Sequence, residues 1–156
     1  MVDGAIKIMK NGFTLVELLV VMAIIGVLVA LGASNFRTAQ MRGRDTQRKS
    51  DLKQISHSLE LYYADYGHYP ATNLVTAGSE FTDGKTTYFK SVPDDPSINQ
   101  NYVYRLVPSA PTQKYQLFAK LENSQDQDLV TGLTQSCGAG ATCNFAITSA
   151  NTNASE

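Results

Sequence analysis

An apolar run close to the N-terminus constrains the fold of this chain more than any other feature. The 21 residues from Phe13 to Ala33 contain a single charged side chain, Glu17. A helix of about 20 apolar residues is long enough to cross the hydrocarbon core of a bilayer. The run therefore predicts a membrane-spanning helix rather than the core helix of a soluble domain, and it leaves the charge at Glu17 to be explained.

One explanation of the run is a secretory signal peptide. Lys7 and Lys10 would form its basic region, and cleavage would follow Ala33 within the small-residue stretch "LGAS". Signal peptides, however, carry an apolar region of roughly 7–15 residues. The longer run and the acid inside it disfavour this interpretation.

A plain membrane anchor is a second explanation. Positive charge is enriched on the cytoplasmic side of a span. Two lysines precede the run, whereas five basic residues lie between Arg37 and Lys49. Charge alone would therefore place the C-terminal part in the cytoplasm.

The stretch "KNGFTLVELLVVMAIIGVLVALG" resembles the N-terminal signature of type IV prepilins and of the pseudopilins of type II secretion and competence. It has a short basic leader ending in Gly12, then Phe13, Glu17 four residues later, and an unbroken apolar helix. The resemblance implies that an aspartyl prepilin peptidase cleaves between Gly12 and Phe13 on the cytoplasmic face. The same enzyme would methylate the new amine of Phe13, and the head would lie outside.

The resemblance also implies a structural subunit that polymerises through its N-terminal helix. Expected partners are copies of itself, minor pilins, the peptidase, an inner-membrane platform protein with its assembly ATPase, and lipid before assembly. The expected location is the cytoplasmic membrane, as a single-pass protein, and then a periplasmic or extracellular filament. A pilus, a secretion pseudopilus and a competence filament all stay open, and a conventionally secreted or membrane-anchored binding module is the alternative.

Two roles are open for Glu17. Thr14 to Glu17 reads T-x-x-E before an apolar run, the capping-box pattern that satisfies free backbone N–H groups at a helix start. The resemblance implies a second role, in which Glu17 pairs with the protonated amine of Phe13 on a neighbouring subunit and sets the register of assembly.

The chain is predicted to have an α+β fold. Apolar residues recur at helical spacing in Leu52, Ile55, Leu59, Tyr62 and Tyr66. We therefore expect one long N-terminal helix, transmembrane in its first half and amphipathic in its second, packed against a small antiparallel β-sheet head. The predicted parts are a leader (1–12), an assembly helix (13–33), its amphipathic extension (34–66) and a head (67–156). Gly26 and Gly32 mark candidate points of local melting, since glycine weakens a helix.

The head begins where the helix is expected to end, at Gly67, with Pro70 three residues later. Residues 71–87 are rich in Thr, Gly, Ala and Asp and predict a surface loop. Three strands are predicted at Tyr102–Val107, Lys114–Leu121 and Cys143–Thr148, with "PSAPT" as the turn between the first two.

The basic segment from Arg37 to Lys53 holds six of the thirteen basic residues. Because Asp45 and Asp51 are interleaved, salt links and solvated charge facing neighbouring subunits are expected rather than nucleic-acid binding. His57 and His68 have no nucleophile or paired carboxylates placed near them by the sequence, so no enzyme activity is predicted.

Cys137 and Cys143 are spaced too closely for a zinc site, and they predict a disulfide if the head lies outside the cytoplasm. The segment "SVPDDPSINQNYVY" resembles the Pro-x-Asp-Pro region of major secretion pseudopilins, in which a later loop often binds calcium. The corresponding region, "LENSQDQD", lacks the usual glycines. Solvated surface charge is the favoured interpretation of its acids, and calcium is the alternative, with Glu122, Asp126 and Asp128 as the candidate ligands.

Overall fold

The computed structural model describes residues 12–107 and 114–156. The chain divides into two compact units, one ending at Ala39 and one beginning at Gln40. One helix, α1 (Leu15–Tyr66), contributes to both. Most of the predicted leader, residues 1–11, and the predicted "PSAPT" turn lie outside the described residues. The α+β class predicted from the sequence is confirmed.

Helix α1 runs without a break through Gly26 and Gly32. It ends at the predicted glycine, since the Gly67 N–H donates to the Tyr63 carbonyl at 2.7 Å and Gly67 has a φ of 71°. That left-handed conformation costs glycine little, and it stops the helix. The predicted C-terminal signal is therefore confirmed.

In the first unit the large apolar side chains of α1 between Leu15 and Val29 are exposed, as is Phe36. This part of α1 is long and apolar enough to cross a membrane by length and composition. Burying such a surface in lipid or against other helices is strongly favourable, because apolar area leaves water.

The second unit has two antiparallel sheets. The first pairs β1 (Phe81–Thr82) with β2 (Thr87–Phe89). The second has the order β3 (Val103–Leu106), β4 (Tyr115–Ala119) and β5 (Phe145–Thr148). The three predicted strands are confirmed, each slightly shorter than predicted.

The central strand β4 is buried along its whole length and separates two apolar clusters. Tyr115 and Leu117 pack in the cluster with the buried stripe of α1, whereas Phe118 packs on the other side with the two cysteines. Leu52, Ile55, Leu59 and Tyr62 form that stripe, as predicted.

Two expectations for the second unit were wrong. The helical spacing predicts that Tyr66 lies in the buried stripe, but Tyr66 is 45% exposed, because α1 ends there and the Tyr66 hydroxyl donates to Asp83 at 2.5 Å. The segment 71–87 was expected to be a surface loop. It contains a short 3-10 helix (Thr72–Leu74) and β1, whose Phe81 is fully buried beside Tyr62.

A buried arginine lies at the centre of the polar side of the second unit. Arg48 is 0% exposed, and its guanidinium binds both carboxylate oxygens of Asp95 at 2.8 and 2.9 Å. It also donates to Asp45 at 2.8 Å, to Glu122 at 2.9 Å and to the Ser97 hydroxyl at 2.8 Å. Burial opposes the charged form, but the hydrogen bonds to Asp95 and Glu122 outweigh it and raise the pKa of Arg48.

The arginine network extends to the backbone and to a second arginine. Asp45 accepts the N–H groups of Glu122 and Asn123 at 2.9 and 2.8 Å. Arg44 binds both oxygens of Glu122. The expectation that this basic segment is solvated and faces neighbouring subunits was therefore wrong for Arg48 and Asp45, which are buried within the chain's own fold.

Two leucines of α1 offer a matched test of the packing. Leu59 is 0% exposed and Leu61 is 59% exposed. Leu59→Ala should lower the free energy of unfolding by about 2–5 kcal/mol, since it leaves a cavity under β4, whereas Leu61→Ala should change it by less than about 0.5 kcal/mol. Denaturant unfolding of the full chain in detergent measures both. Equal losses would contradict this placement of the stripe.

The ion pairs of Glu122 predict acid sensitivity. The hydrogen bond from Arg44, followed by that from Arg48, lowers the pKa of Glu122 from 4.5 to about 2. Because the folded pKa is depressed, the stabilisation is complete above about pH 4.5 and is lost as pH falls towards 2. Glu122→Gln should cost about 1.5–3 kcal/mol at pH 7, and the difference from wild type should close over that pH range.

Denaturant unfolding from pH 7 to pH 2.5 measures this difference. Arg44 is the main cause of the depressed pKa, so Arg44→Gln serves as the control background. In that background the effect of Glu122→Gln should be smaller at pH 7 and should depend less on pH. A difference that stays constant with pH would contradict the prediction.

Candidate functional site

The predicted cleavage position is accessible in the described part of the chain. Gly12 is exposed, and a Cβ built on it meets no atom within 4 Å. Phe13 is exposed as well, and both precede the first turn of α1. A protease needs this kind of access to the bond that it cleaves.

Thr14 and Glu17 form a capping box at the start of α1. The Thr14 N–H and hydroxyl both donate to Glu17 Oε2, at 2.9 and 2.7 Å, and the Glu17 N–H donates to Thr14 Oγ1 at 3.2 Å. Thr14 is the N-cap residue, and each side chain satisfies a backbone donor that the helix leaves free. The capping role considered for Glu17 is confirmed.

Capping uses one of the two carboxylate oxygens of Glu17. All hydrogen bonds described for this side chain use Oε2, whereas none of those within residues 12–107 and 114–156 uses Oε1. The side chain is also exposed at the helix surface. Capping and pairing with a cation are therefore geometrically compatible, and pairing with an amine stays a prediction.

The three candidate calcium ligands bind cationic side chains of the chain itself. Asp126 and Asp128 converge on the Lys49 ammonium group, at 2.6 and 2.7 Å. Glu122 binds Arg44 and Arg48 instead. The structure therefore brings two of the three candidates together and places the third in the arginine network.

Lys49 affects what the loop that contains Asp126 and Asp128 can bind. Its hydrogen bond lowers the pKa of Asp126, so this carboxylate is ionised over a wide pH range. In the part of the chain that the structure describes, no three His, Cys, Asp or Glu side chains are arranged to hold a metal ion. Calcium binding stays a prediction, and it would require Lys49 to leave the two aspartates.

The predicted disulfide between Cys137 and Cys143 is present. The bonded cysteines close a hairpin in which the Cys137 N–H donates to the Ala141 carbonyl at 2.8 Å. Gly138 has a φ of 91°, and a Cβ there would lie 2.6 Å from the Asn99 carbonyl oxygen. The hairpin thus approaches the segment that precedes β3 so closely that only glycine fits.

The residues that were considered for catalysis and for nucleic-acid binding do not form a common site. His57 is exposed on α1, whereas His68 is half-buried, with its ring against Tyr62. The cations that made the basic segment look like a nucleic-acid patch include Arg44, Arg48 and Lys49, which are paired with acids.

Two family models match the chain. The model described as "Prokaryotic N-terminal methylation motif" matches residues 8–33, which contain the Gly12–Phe13 bond and the capping box. The model described as "Type II secretion system (T2SS), protein G" matches residues 35–128, more than half of the chain.

Individual relatives agree with both models. The type II secretion system core protein G of Pseudomonas aeruginosa is 30% identical over 136 residues, which are 79% of this chain and 94% of that protein. The core protein G of Escherichia coli K12 is 34% identical, over 56% of this chain and 66% of its own length, just under two thirds. The type IV major pilin PilA of Myxococcus xanthus is 36% identical over 60 residues, which are 38% of this chain and 27% of that pilin.

The comparison with solved structures found no match. The relatives described above carry secretion-system and pilin names, and the matched regions include both the N-terminal motif and most of the head. The chain therefore belongs to the family of type II secretion system protein G and carries the prokaryotic N-terminal methylation motif.

Proposed function

We propose that this chain is the structural subunit of a filament of the type IV pilus and secretion-pseudopilus class. The observation that carries the proposal is the motif formed by Gly12, Phe13, Thr14 and Glu17 at the start of a helix whose apolar side chains are exposed. A helix with this surface needs a partner, since none of the described residues of its own unit covers it. Lipid meets that need before assembly, and copies of the same helix meet it afterwards.

The pairing of Glu17 with Phe13 supplies the specificity of assembly. Cleavage after Gly12 creates an amine on Phe13 that is protonated at neutral pH, and methylation keeps it positive. A charged carboxylate in an apolar bundle is costly unless it is paired. Oε1 of Glu17, which accepts no hydrogen bond from the described residues, accepts the amine of a neighbouring subunit, while Oε2 continues to cap its own helix.

Membership of the pilus and pseudopilus class also implies the proteins that process and assemble the chain. Prepilin peptidase cleaves and methylates the chain, and an assembly ATPase with an inner-membrane platform protein adds subunits, with minor pilins as further components. The chain starts as a single-pass protein of the cytoplasmic membrane with its head outside, and then joins a periplasmic or extracellular filament. The disulfide of the head fits an oxidising compartment.

The mature N-terminus tests the processing step. Mass spectrometry of the chain from membranes should show methylated Phe13 as the first residue. Gly12→Leu should leave uncut precursor, because a branched side chain blocks approach to the backbone. Gly43→Leu is the matched control, since Gly43 is also exposed with open space at its Cβ position, and it should be processed normally. A mature chain that starts at Ser34 would instead identify a conventionally secreted module.

Two substitutions separate capping from pairing. Glu17→Gln keeps an oxygen that accepts from Thr14 but removes the charge, whereas Thr14→Val removes the capping hydroxyl and keeps the charge. We expect Glu17→Gln to lower the yield of sheared filaments by roughly tenfold or more, since the amine loses its counter-ion. Thr14→Val should keep most of the yield.

An immunoblot of the membrane fraction measures the amounts of inserted and cleaved chain in both variants, and it controls for loss of the precursor. Full filament yield from Glu17→Gln would overturn the pairing role. A loss of yield in Thr14→Val together with full yield from Glu17→Gln would assign Glu17 to helix capping alone.

A further inference from the structure

One side chain of the head is exposed to an extent that its own fold does not explain. Ile98 is 98% exposed, the highest value among the large apolar side chains in the described residues. Its loop is nevertheless well held. Arg48 binds Asp95 and Ser97 on one side of it, and the Gln100 N–H donates to the Ser97 carbonyl at 2.9 Å. Ile98 is therefore presented on a fixed loop.

An open groove lies elsewhere on the same unit. It has a volume of about 320 Å³, which is enough to receive an aliphatic side chain. Its apolar lining comes from Leu61, which is 59% exposed on α1, and from the rings of Tyr88 and Phe89. The principal lining residues are Gln54, His57, Leu61, Tyr88, Phe89 and Lys90.

Helix geometry places the loop and the groove on opposite sides of α1. The loop is attached at Arg48, and the groove residues His57 and Leu61 follow nine and thirteen positions later. At 3.6 residues per turn these positions are rotated by roughly 180° and 220° from Arg48. At 1.5 Å per residue they lie roughly 14–20 Å further along the helix.

This placement determines the kind of contact that the two surfaces can make between copies. An apolar side chain on one side and an apolar groove on the other cannot meet within one chain. Two copies can bring them together in a head-to-tail contact, which builds an open helical filament when the rotation between successive copies does not close a ring. A two-fold dimer would instead need the same patch on both copies.

Charge at the two surfaces is complementary. The exposed carboxylate of Asp94 lies four residues before Ile98 on the loop. The exposed ammonium of Lys90 lies at the edge of the groove. Opposite charges around an apolar contact steer two surfaces together and fix their orientation.

We propose that Ile98 of one copy docks into the Leu61–Phe89 groove of the next copy, with Asp94 facing Lys90. The inference rests on the proposed filament function and names the surfaces through which the globular units of successive copies touch. The occupant is a second copy of this chain, because the same unit carries both the Ile98 loop and the groove that fits it. The two surfaces lie at different positions along α1, so they meet only between copies.

Cysteine cross-linking in the full chain, in membranes of the producing cell, tests the contact directly. The double variant Ile98→Cys with Leu61→Cys should give a ladder of dimers, trimers and longer species on oxidation. Each single variant should give no ladder. The matched control is Ile98→Cys with Leu74→Cys, since Leu74 is exposed but lies outside both surfaces, and it should also give no ladder.

A substitution tests the energetic importance of the contact. Ile98→Asp should lower the yield of sheared filaments by roughly tenfold, as expected for loss of one buried aliphatic side chain, whereas Ile98→Val should retain it. The melting temperature of Ile98→Asp should match wild type, since the side chain is exposed in the free chain. Asp94→Lys should also weaken assembly, and Lys90→Asp should restore it in the same chain.

The outcomes separate this inference from the proposed function. Filaments without the Ile98–Leu61 ladder, and with full yield from Ile98→Asp, would overturn the docking surface and leave the filament function intact. A ladder in cells that form no filament would support the docking surface and contradict the filament function. Dimers from either single-cysteine variant, or cross-links to other proteins alone, would overturn the head-to-tail contact.

Discussion

The contact between Arg48 and Asp95 determines how the polar side of the head is built. A fully buried guanidinium is stable here because its partners supply three carboxylates and a hydroxyl in short, directional hydrogen bonds. Breaking a buried pair of this kind by removing one partner typically costs about 3–5 kcal/mol, since the other charges stay buried. The network joins α1 to two segments that are far apart in sequence, and its polar contacts add to the apolar packing of Val92 and Leu121 beside them.

The same network explains why an exposed loop has a defined shape. Asp95 and Ser97 hold the loop from one end, and the hairpin of Cys137 and Cys143 holds it from the other, where the Asn101 N–H donates to the Cys137 carbonyl at 3.0 Å. A loop tied at both ends loses little conformational entropy when it binds. An exposed apolar residue in such a loop is therefore suited to a specific contact.

The sequence predicted the apolar parts of this fold better than its polar parts. The spacing of Leu52, Ile55, Leu59 and Tyr62 correctly predicted the buried face of α1, because apolar periodicity reports burial directly. The same spacing continued backwards reaches Arg48 and Asp45, so the signal for their burial was present. The spacing alone does not predict the burial of Arg48, because a charged residue is expected to be exposed unless its partners are known. Its partners Asp95 and Glu122 are distant in sequence. The short strands β1 and β2 were missed because they lie among turn residues and are set by packing of Phe81.

A single charge has a large effect in a helix such as the first part of α1. Its exposed surface consists of similar aliphatic side chains, so sliding one copy along another exchanges apolar contacts for equivalent ones and changes the packing energy little. A shift of one turn, about 5.4 Å, separates a buried carboxylate from its amine and restores the cost of two unpaired charges. A buried polar pair in an apolar interface is for this reason best suited to fixing register. Because Thr14 binds only Oε2, the pairing that we propose for Glu17 does not require this side chain to give up its cap.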